Sequence, residues 1–260
     1  MNITALGCAG SLAAGHDTTA FLLDDDVLLD AGSGVGTLGI EALLRIDHVL
    51  LSHSHIDHIL GLPLLADTVL RQRTLAGRPP IQVHALEPTL AALRRHLFNG
   101  VLWPDFTRLP SAEHPVLSLH PCHIGQVLAF GARRIEVLPA RHTVPACGFA
   151  VQGPAGRWWA YSGDTGPNPA LWHRLRQLPL SHLVVECAFD DDEFELADRA
   201  LHLCPRQLRT ELQDWLPLEL PLYITHIKPG IEPKVMGALS AQLHPLVPRA
   251  LHGGQVFQLD

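Results

Sequence analysis

The sequence predicts an α/β fold in which two β-sheets pack face to face and helices cover the outer faces. Short apolar runs typical of strands occur in both halves of the 260-residue chain, and helical patterns interrupt them in turn. Histidine or aspartate lies just past the end of four of these runs, and no linker-like stretch divides the chain. A two-sheet sandwich fits this alternation better than a single parallel sheet. We therefore expect residues 1–260 to form one domain.

The first half of the chain contains five predicted strands and two longer helices. Asp24 to Asp26 has the composition of a hairpin turn, and a short helix is expected before His48. One longer helix follows Asp57 and stops near Gly77, and another runs from Pro88 to Gly100. The five strands are predicted at 3–7, 19–23, 27–30, 48–51 and 81–85.

The second half is richer in strands. A helix is expected to open at Pro205, with Leu208, Leu212, Trp215 and Leu216 on one face. Adjacent strand residues point to opposite faces, so Trp158 and Trp159 should lie on different sides of their sheet. The strands are predicted at 127–130, 135–138, 148–151, 158–161, 183–186, 222–225 and 256–257.

The stretch from Leu50 to His58 is predicted to end a buried strand and to form a metal-binding loop. His53, His55, Asp57 and His58 provide four candidate ligands within six residues. Imidazole and carboxylate are ligands that zinc and related divalent cations accept at neutral pH. His53 and His55 alternate and are expected to share one ion, whereas Asp57 and His58 follow the turn and indicate a second ion.

Three further candidate ligands follow other predicted strands. His142, Asp164 and His226 each come just past a strand end, as His53 does. Functional side chains collect on loops that a rigid sheet holds along one edge. We therefore expect these side chains to meet in one metal site.

Composition restricts the partners and the location of the protein. The net charge is −7 and the arginines are dispersed, which argues against a long nucleic acid and is compatible with a small anionic substrate. Five scattered cysteines predict no disulfide framework and fit a reducing cytoplasm. The first residues lack the features of a signal peptide, and no apolar run is long enough to span a membrane. We expect a cytoplasmic protein without a membrane partner.

The histidine-rich loop, together with the three downstream ligands, resembles the metallo-β-lactamase superfamily of αββα hydrolases. The resemblance covers nearly the whole chain and implies a four-layer αββα sandwich. It also implies that Asp30 lies beneath the metal loop and orients a ligand. By this resemblance one ion is held by His53, His55 and His142, the other by Asp57, His58 and His226, and Asp164 bridges both.

Within that superfamily the sequence is most similar to the class II cyclic-nucleotide phosphodiesterases. Similar proteins tend to have Ser-Gly before His202 and Thr after Leu203, where this chain has Ala200-Leu201 and Cys204. Cysteine is a poorer helix cap than threonine, so we expect the helix start and the substrate contacts near His202 to differ from those of similar proteins. The matching segments are 53–62, 98–104, 162–167, 186–189, 202–205 and 225–229.

The resemblance implies a dinuclear phosphodiesterase that converts 3',5'-cyclic nucleotides such as cAMP to 5'-nucleotides. Two divalent ions about 3.5–4 Å apart share a water, and the bridging hydroxide attacks phosphorus. Asp57 is a candidate proton acceptor, His202 a candidate acid for the ribose oxygen, and Glu186 a candidate to orient His202. Zinc is the expected metal, although manganese and iron accept similar ligands.

Other functions remain open at this stage. A tRNA 3'-processing endonuclease of the same superfamily also pairs a Glu with a His, but its Gly/Pro-rich arm is absent from this sequence. Thioester and lactone hydrolases share the metal ligands but have less need of Glu186 and His202. A catalytically idle effector protein would keep metals for structure or ligand sensing. Related proteins often dimerise, so a homodimer is also open.

Some aromatic and histidine side chains have weaker claims on function. His16, beside Asp17 in the first loop, and Trp103 are candidate substrate contacts. His120 and His123 flank Pro121-Cys122, and no predicted strand delivers them to the site. The remaining histidines lack metal-like spacing and are expected at the surface or at strand edges.

Overall fold

The computed structural model describes residues 1–213 and 219–260, and its first β-sheet has seven strands within these ranges. The hairpin predicted around Asp24 to Asp26 is present. Strand β14 (Val256–Gln258) lies at one edge and pairs antiparallel with β1 (Asn2–Gly7). Strand β1 also pairs antiparallel with β2 (Ala20–Leu23), and β2 with β3 (Val27–Leu29), whereas the strands from β3 to β6 (Leu117–Cys122) run parallel. In spatial order the strands are β14 (Val256–Gln258), β1 (Asn2–Gly7), β2 (Ala20–Leu23), β3 (Val27–Leu29), β4 (His48–Leu50), β5 (Ile81–Leu86) and β6 (Leu117–Cys122).

The second sheet also has seven strands in the described part of the chain. Its strands are parallel from β10 to β13 and antiparallel from β7 to β10. In spatial order they are β13 (Arg249–Ala250), β12 (Leu222–Thr225), β11 (Leu180–Glu186), β10 (Trp158–Tyr161), β9 (Cys147–Gln152), β8 (Arg133–Pro139) and β7 (Val127–Phe130).

The two sheets bury a shared apolar core between them. Phe21 of the first sheet lies 5.3 Å, between ring centroids, from Trp159 and 5.1 Å from Tyr161 of the second. Both neighbours of Phe21 belong to this inter-sheet cluster, whereas Trp158 packs in the cluster on the outer face of its sheet. The alternation of strand side chains therefore separates the two tryptophans as predicted.

Helices cover both outer faces of the sandwich, which makes four layers. Helix α3 buries Leu62, Leu65 and Val69 in a cluster with outward-facing strand residues of the first sheet. Helices α5, α7 and α8 do the same for the second sheet, so the αββα prediction is confirmed. The helices are α1 (Ile40–Arg45), α2 (Ile56–Ile59), α3 (Gly61–Leu75), α4 (Glu87–Ala92), α5 (Pro169–Leu175), α6 (Phe194–Ala200), α7 (Pro205–Leu212) and α8 (Glu232–Gln242).

Strand β6 corrects one expectation from the sequence. His120 lies within this strand and His123 follows it, so a strand that the sequence did not predict carries both, although neither belongs to the metal-competent clusters of the described residues. The strand was not predicted because Pro121 lies within it, and proline normally interrupts the hydrogen bonds between strands. Proline is tolerated here because β6 is an edge strand whose one neighbour in the described sheet is β5.

Other elements agree with the sequence or were not anticipated. Helix α4 continues in a π-helical turn over Leu93–Leu97, and Gly100 beyond it has a left-handed backbone with φ of 75°. Leu208 and Leu212 are buried on α7, while the predicted partners Trp215 and Leu216 lie outside the described residues. Helices α5, α6 and α8 were not predicted from the sequence. Among the described helices, none is both long and apolar enough to cross a bilayer.

Candidate metal centre

The carboxyl ends of strands from both sheets converge on one site. Asp30 follows β3, and the histidine loop begins directly after β4. In the second sheet, strands β8, β10 and β12 lead to His142, Asp164 and His226. The parallel arrangement of β3 with β4, and of β10, β11 and β12, explains why these strand ends meet at the same edge of the sandwich.

A first cluster consists of His53, His55 and His142. One ligand nitrogen of each lies within 4.8 Å of the others. His142 Nε2 is 3.1 Å from His55 Nδ1, and His142 Nδ1 lies 3.0 Å from the carbonyl oxygen of Leu201. Because a carbonyl only accepts, Nδ1 of His142 carries the proton and its Nε2 is left free for a metal.

A second cluster consists of Asp57, His58, Asp164 and His226, again within 4.8 Å. Oδ2 of Asp164 is 3.2 Å from Nε2 of both His58 and His226. The same oxygen is 3.8 Å from His53 Nε2 in the first cluster. Asp164 therefore lies between the two clusters, where the sequence resemblance expects a bridging ligand.

Buried polar atoms show that this arrangement fits divalent metal ions. His53 Nε2, His58 Nε2 and Asp164 Oδ1 are buried without a hydrogen-bond partner in the described part of the chain. A buried polar atom without a partner costs about 1–3 kcal/mol, so three of them together need compensation. Imidazole and carboxylate donors are the set that zinc binds, and metal ions would satisfy all three atoms.

The charges of the site act in opposite directions on its histidines. Burial alone would lower the pKa of His58, but the charges of Asp164 and Asp30, with the hydrogen bond to Asp30, raise it well above its ordinary value. Burial, together with the charge of His58, lowers the pKa of His53 well below normal. Burial opposes ionisation of Asp164, yet the charges of His226 and His58 hold its pKa well below the usual range.

Asp30 supports the second cluster from beneath, as the resemblance implies. This fully buried residue has a left-handed backbone, with φ of 57°. Its Oδ1 accepts a hydrogen bond from Ser52 N at 2.7 Å. Its Oδ2 lies 2.8 Å from His58 Nδ1, 2.8 Å from Ser52 Oγ and 3.2 Å from Tyr161 Oη. The carboxylate holds a proton of His58 on Nδ1, so Nε2 is the ring nitrogen that faces the candidate metal site.

His202 and Glu186 form a pair beside the two clusters. His202 Nδ1 donates to Glu186 Oε1 at 2.8 Å, and the His202 ring stacks on His226 with centroids 5.3 Å apart. Glu186 is fully buried and also accepts from the backbone nitrogens of Thr165 and Ala188, at 3.0 and 3.1 Å. Burial alone would lower the pKa of His202, but the charge and hydrogen bond of Glu186 raise it.

The replacements around His202 have visible structural consequences. Leu201 occupies the left-handed region with φ of 52°, a conformation that glycine adopts without strain and leucine does not. Cys204 is the N-cap residue, directly before the first residue of α7. The side chain of Gln207 accepts a hydrogen bond from the Cys204 backbone nitrogen at 3.1 Å. This reciprocal contact supports the helix start where the threonine hydroxyl of similar proteins is absent.

A cavity of about 390 Å³ opens over both clusters and contains His202 in its wall. Leu12, Ile56 and Leu60 form an apolar side of this cleft, and Ser11 and Lys228 complete it. The sequence did not predict that Lys228 lines the cleft, or that Ser52 and Tyr161 contact Asp30 beneath the metal loop. For Ser52, the sequence offered one indication of such a contact, namely a polar residue between a buried strand and His53.

His16 and Trp103 are not among the residues that line this cleft. His16 is exposed and borders a separate cavity of about 220 Å³, on the other side of the loop that carries Ser11. Trp103 packs against the cluster between the first sheet and its helices. Their predicted substrate contacts are therefore not supported by their positions.

Comparisons with known proteins agree with the geometry. A probable 3',5'-cyclic-nucleotide phosphodiesterase of Yersinia pestis is 25% identical over 285 residues, which is 88% of this chain and 79% of that protein. Ribonuclease Z of Bradyrhizobium sp. (strain ORS 278) is 35% identical over 136 residues, 50% of this chain and 42% of that enzyme. The structure of unliganded yeast PDE1 matches with a TM-score of 0.81 and 16% identity over 99% of both chains, which shows a common fold.

The family assignment rests on a match over most of the chain. The model of the Beta-lactamase superfamily domain matches residues 26–226, which include every candidate metal ligand. The two ligand clusters lie at the same edge of the αββα sandwich. The chain therefore belongs to the beta-lactamase superfamily and is a metal-dependent hydrolase.

Proposed function

We infer that this protein is a dinuclear phosphodiesterase that hydrolyses 3',5'-cyclic nucleotides of the cAMP type to 5'-nucleotides. The observation that carries the proposal is the Glu186–His202 pair: His202 lines the same cleft as members of both metal-competent clusters, and the buried Glu186 holds its Nδ1. The relative from Yersinia pestis, whose name gives this activity, matches over 88% of this chain.

The proposed cofactor is a pair of divalent ions, with zinc favoured by the nitrogen-rich ligand set. When bound, the ions would lower the pKa of a shared water and stabilise the negative charge on phosphate. The unpartnered buried atoms of His53, His58 and Asp164 support this proposal. The proposed ligands are His53, His55 and His142 for one ion, Asp57, His58 and His226 for the other, and Asp164 between them.

His202 is the proposed general acid. Its Nδ1 proton is held by Glu186, so its Nε2 is the nitrogen available to a substrate in the cleft. A ribose alkoxide has a high pKa and departs poorly without a proton. An imidazolium Nε2–H donates that proton to the leaving oxygen, while Glu186 keeps the ring in position and stabilises its charge.

Asp57 is the proposed proton acceptor on the nucleophile side. Its Oδ2 lies 3.6 Å from His58 Nε2 and 3.7 Å from His226 Nε2, at the open face of the second cluster. Its side chain is 26% exposed, whereas Asp164 is almost completely buried. Asp57 is thus the cluster carboxylate that exchanges a proton with solvent most easily.

A comparison of leaving groups tests the role of His202. His202→Ala should slow cyclic-nucleotide hydrolysis by roughly 10²-fold or more, within the usual range for general acids. The same change should affect bis(p-nitrophenyl) phosphate much less, because p-nitrophenolate leaves readily without a proton. His55→Ala should depress both substrates alike, since it damages the metal site. Equal losses for His202→Ala on both substrates, with unchanged metal content, would rule out the acid role.

A ribonuclease Z activity is the alternative within the family, given the local match to the Bradyrhizobium enzyme. The acidic net charge of −7 argues against a long polyanion as the preferred substrate. Side-by-side turnover of cAMP, cGMP and a tRNA precursor at matched metal concentration decides between them. Faster cleavage of the tRNA precursor would reverse the assignment. No turnover of any of the three by fully metallated protein would favour a catalytically idle effector.

We also propose a reducing, cytoplasmic location. The five cysteines are free, and four of them are buried. Burial raises the pKa of the Cys147 and Cys187 thiols well above normal, which keeps them unreactive. Thiol counting on the purified protein under denaturing, non-reducing conditions should find five free thiols; a smaller number would contradict this expectation.

A further inference from the structure

Lysine is rare in this chain, and one of its few lysines lies at the cleft. Of the 19 basic residues, only Lys228 and Lys234 are lysines and the others are arginines. Lys234 Nζ forms ion pairs with Asp190 and Asp192, at 2.9 and 2.6 Å. Within the described residues, no carboxylate lies within 4.0 Å of Lys228 Nζ. The ammonium group of Lys228 thus carries a charge that no acidic neighbour neutralises.

The backbone holds Lys228 next to the reacting groups. It follows β12 and comes two residues after His226, on a segment anchored by the hydrogen bond from Gly10 N to Ile227 O. Lys228 is half-buried and lines the 390 Å³ cleft together with His202. Its Nζ lies 4.9 Å from the ring centroid of Phe189, whose ring is in turn 5.7 Å from that of His202.

The contact with Phe189 is weak enough for a ligand to replace it. A cation–π contact at an accessible site is worth about 0.5–1 kcal/mol, whereas a hydrogen bond between charged groups is worth about 1.5–3 kcal/mol. An anion that enters the cleft therefore competes successfully for the ammonium group. Leu12 and Ile56, which also line the cleft, are apolar and 59% and 58% exposed, and Lys228 is the one lysine or arginine among the described residues of its wall.

We propose that Lys228 is a specificity-determining residue that binds a charged oxygen of the substrate phosphate and selects anionic phosphodiesters over neutral esters. The inference rests on the proposed phosphodiesterase function, because the ligand assigned to Lys228 is the charged phosphate oxygen of that substrate. Lys228 acts on substrate binding, whereas His202 acts on the leaving group. Phe189 holds the ammonium group near the cleft until substrate arrives.

Kinetics with two kinds of substrate test the selection. Lys228→Met keeps most of the length of the side chain and removes its charge, so kcat/KM for bis(p-nitrophenyl) phosphate should fall about 10- to 100-fold, mainly through KM. Turnover of the neutral ester p-nitrophenyl acetate should stay unchanged. Lys228→Arg should restore most of the loss, because the charge is kept. Lys234→Met is the matched control and should leave both substrates unaffected. Equal losses on both substrates, or none on the phosphodiester, would overturn the proposal.

The scarcity of lysine allows a binding test that does not depend on catalysis. Reductive ¹³C-methylation keeps the lysine charges and labels two side chains and the N-terminus. Titration of the zinc-loaded protein with inorganic phosphate should shift the NMR signal that Lys228→Met removes, and should leave the Lys234 signal in place. An unmoved Lys228 signal would refute anion binding. A shifted signal in a protein that cleaves no cyclic nucleotide would instead refute the proposed substrate and keep the anion site.

Discussion

Asp30→Asn is the change that most sharply tests how the metal centre is supported. The substitution keeps the shape of the side chain but replaces one carboxylate oxygen with an NH2 group. Oδ2 of Asp30 lies 2.8 Å from His58 Nδ1 and 2.8 Å from Ser52 Oγ, and the residue is fully buried. An amide nitrogen in that place would donate to His58 Nδ1 and move the imidazole proton to Nε2, the nitrogen that faces Asp164.

Two consequences follow for the variant. Metal affinity at the second cluster should fall about 10- to 100-fold, the usual effect of losing a carboxylate that orients a ligating histidine. The metal-free protein should lose about 3 kcal/mol of unfolding free energy, because a charge-assisted hydrogen bond is lost and buried donors are left mismatched. The first effect is measured by zinc competition with a chromophoric chelator, and the second by urea unfolding.

Tyr161→Phe is the matched control for Asp30→Asn. It removes the weaker hydrogen bond to the same oxygen, at 3.2 Å, and keeps the carboxylate charge. It should cost about 1 kcal/mol of stability and leave zinc affinity nearly unchanged. If Asp30→Asn binds zinc as tightly as Tyr161→Phe does, Asp30 does not set the tautomer of His58, and the reasoning fails.

Two further predictions concern the bridge between the clusters and a histidine group elsewhere. Wild-type protein reconstituted with zinc should contain two ions per chain by elemental analysis. Asp164→Asn should lower the occupancy of both sites together, because Oδ2 of Asp164 lies near His53, His58 and His226. Loss of a single ion from this variant would contradict a bridging role for Asp164. Burial, helped by the charges of His120 and His48, lowers the pKa of His84 to about 4, so the folded state favours neutral His84 and unfolding free energy should fall as pH drops from about 6.5 towards 4. The full loss of unfolding free energy is about 3 kcal/mol. In His84→Leu, the unfolding free energy measured with urea should depend less on pH over this range. If the pH dependence of the variant and of the wild type superimpose, His84 does not contribute.

The sequence alone determined the fold class and the chemistry of the ligands. Strand periods and strand-end residues predicted the αββα sandwich, and the sheets confirm it. The spacing from His53 to His58 was sufficient to predict a metal-binding loop, because neighbouring residues on one short loop lie close together whatever the fold of the rest of the chain. His142, Asp164 and His226 were found because parallel strands bring their carboxyl ends to one edge. Their individual roles at the metals remain predictions.

Only the tertiary structure decided which distant side chains meet and which do not. The contact between Asp30 and His58 spans 28 residues, and that between Asp30 and Ser52 spans 22. His16 was a candidate substrate contact in the first loop, yet it borders a different cavity. Lys228 carried no signal beyond its motif, because the absence of an acidic neighbour is a property of three-dimensional packing. Local spacing is determined by covalent geometry, whereas long-range contacts depend on how the two sheets and their loops assemble.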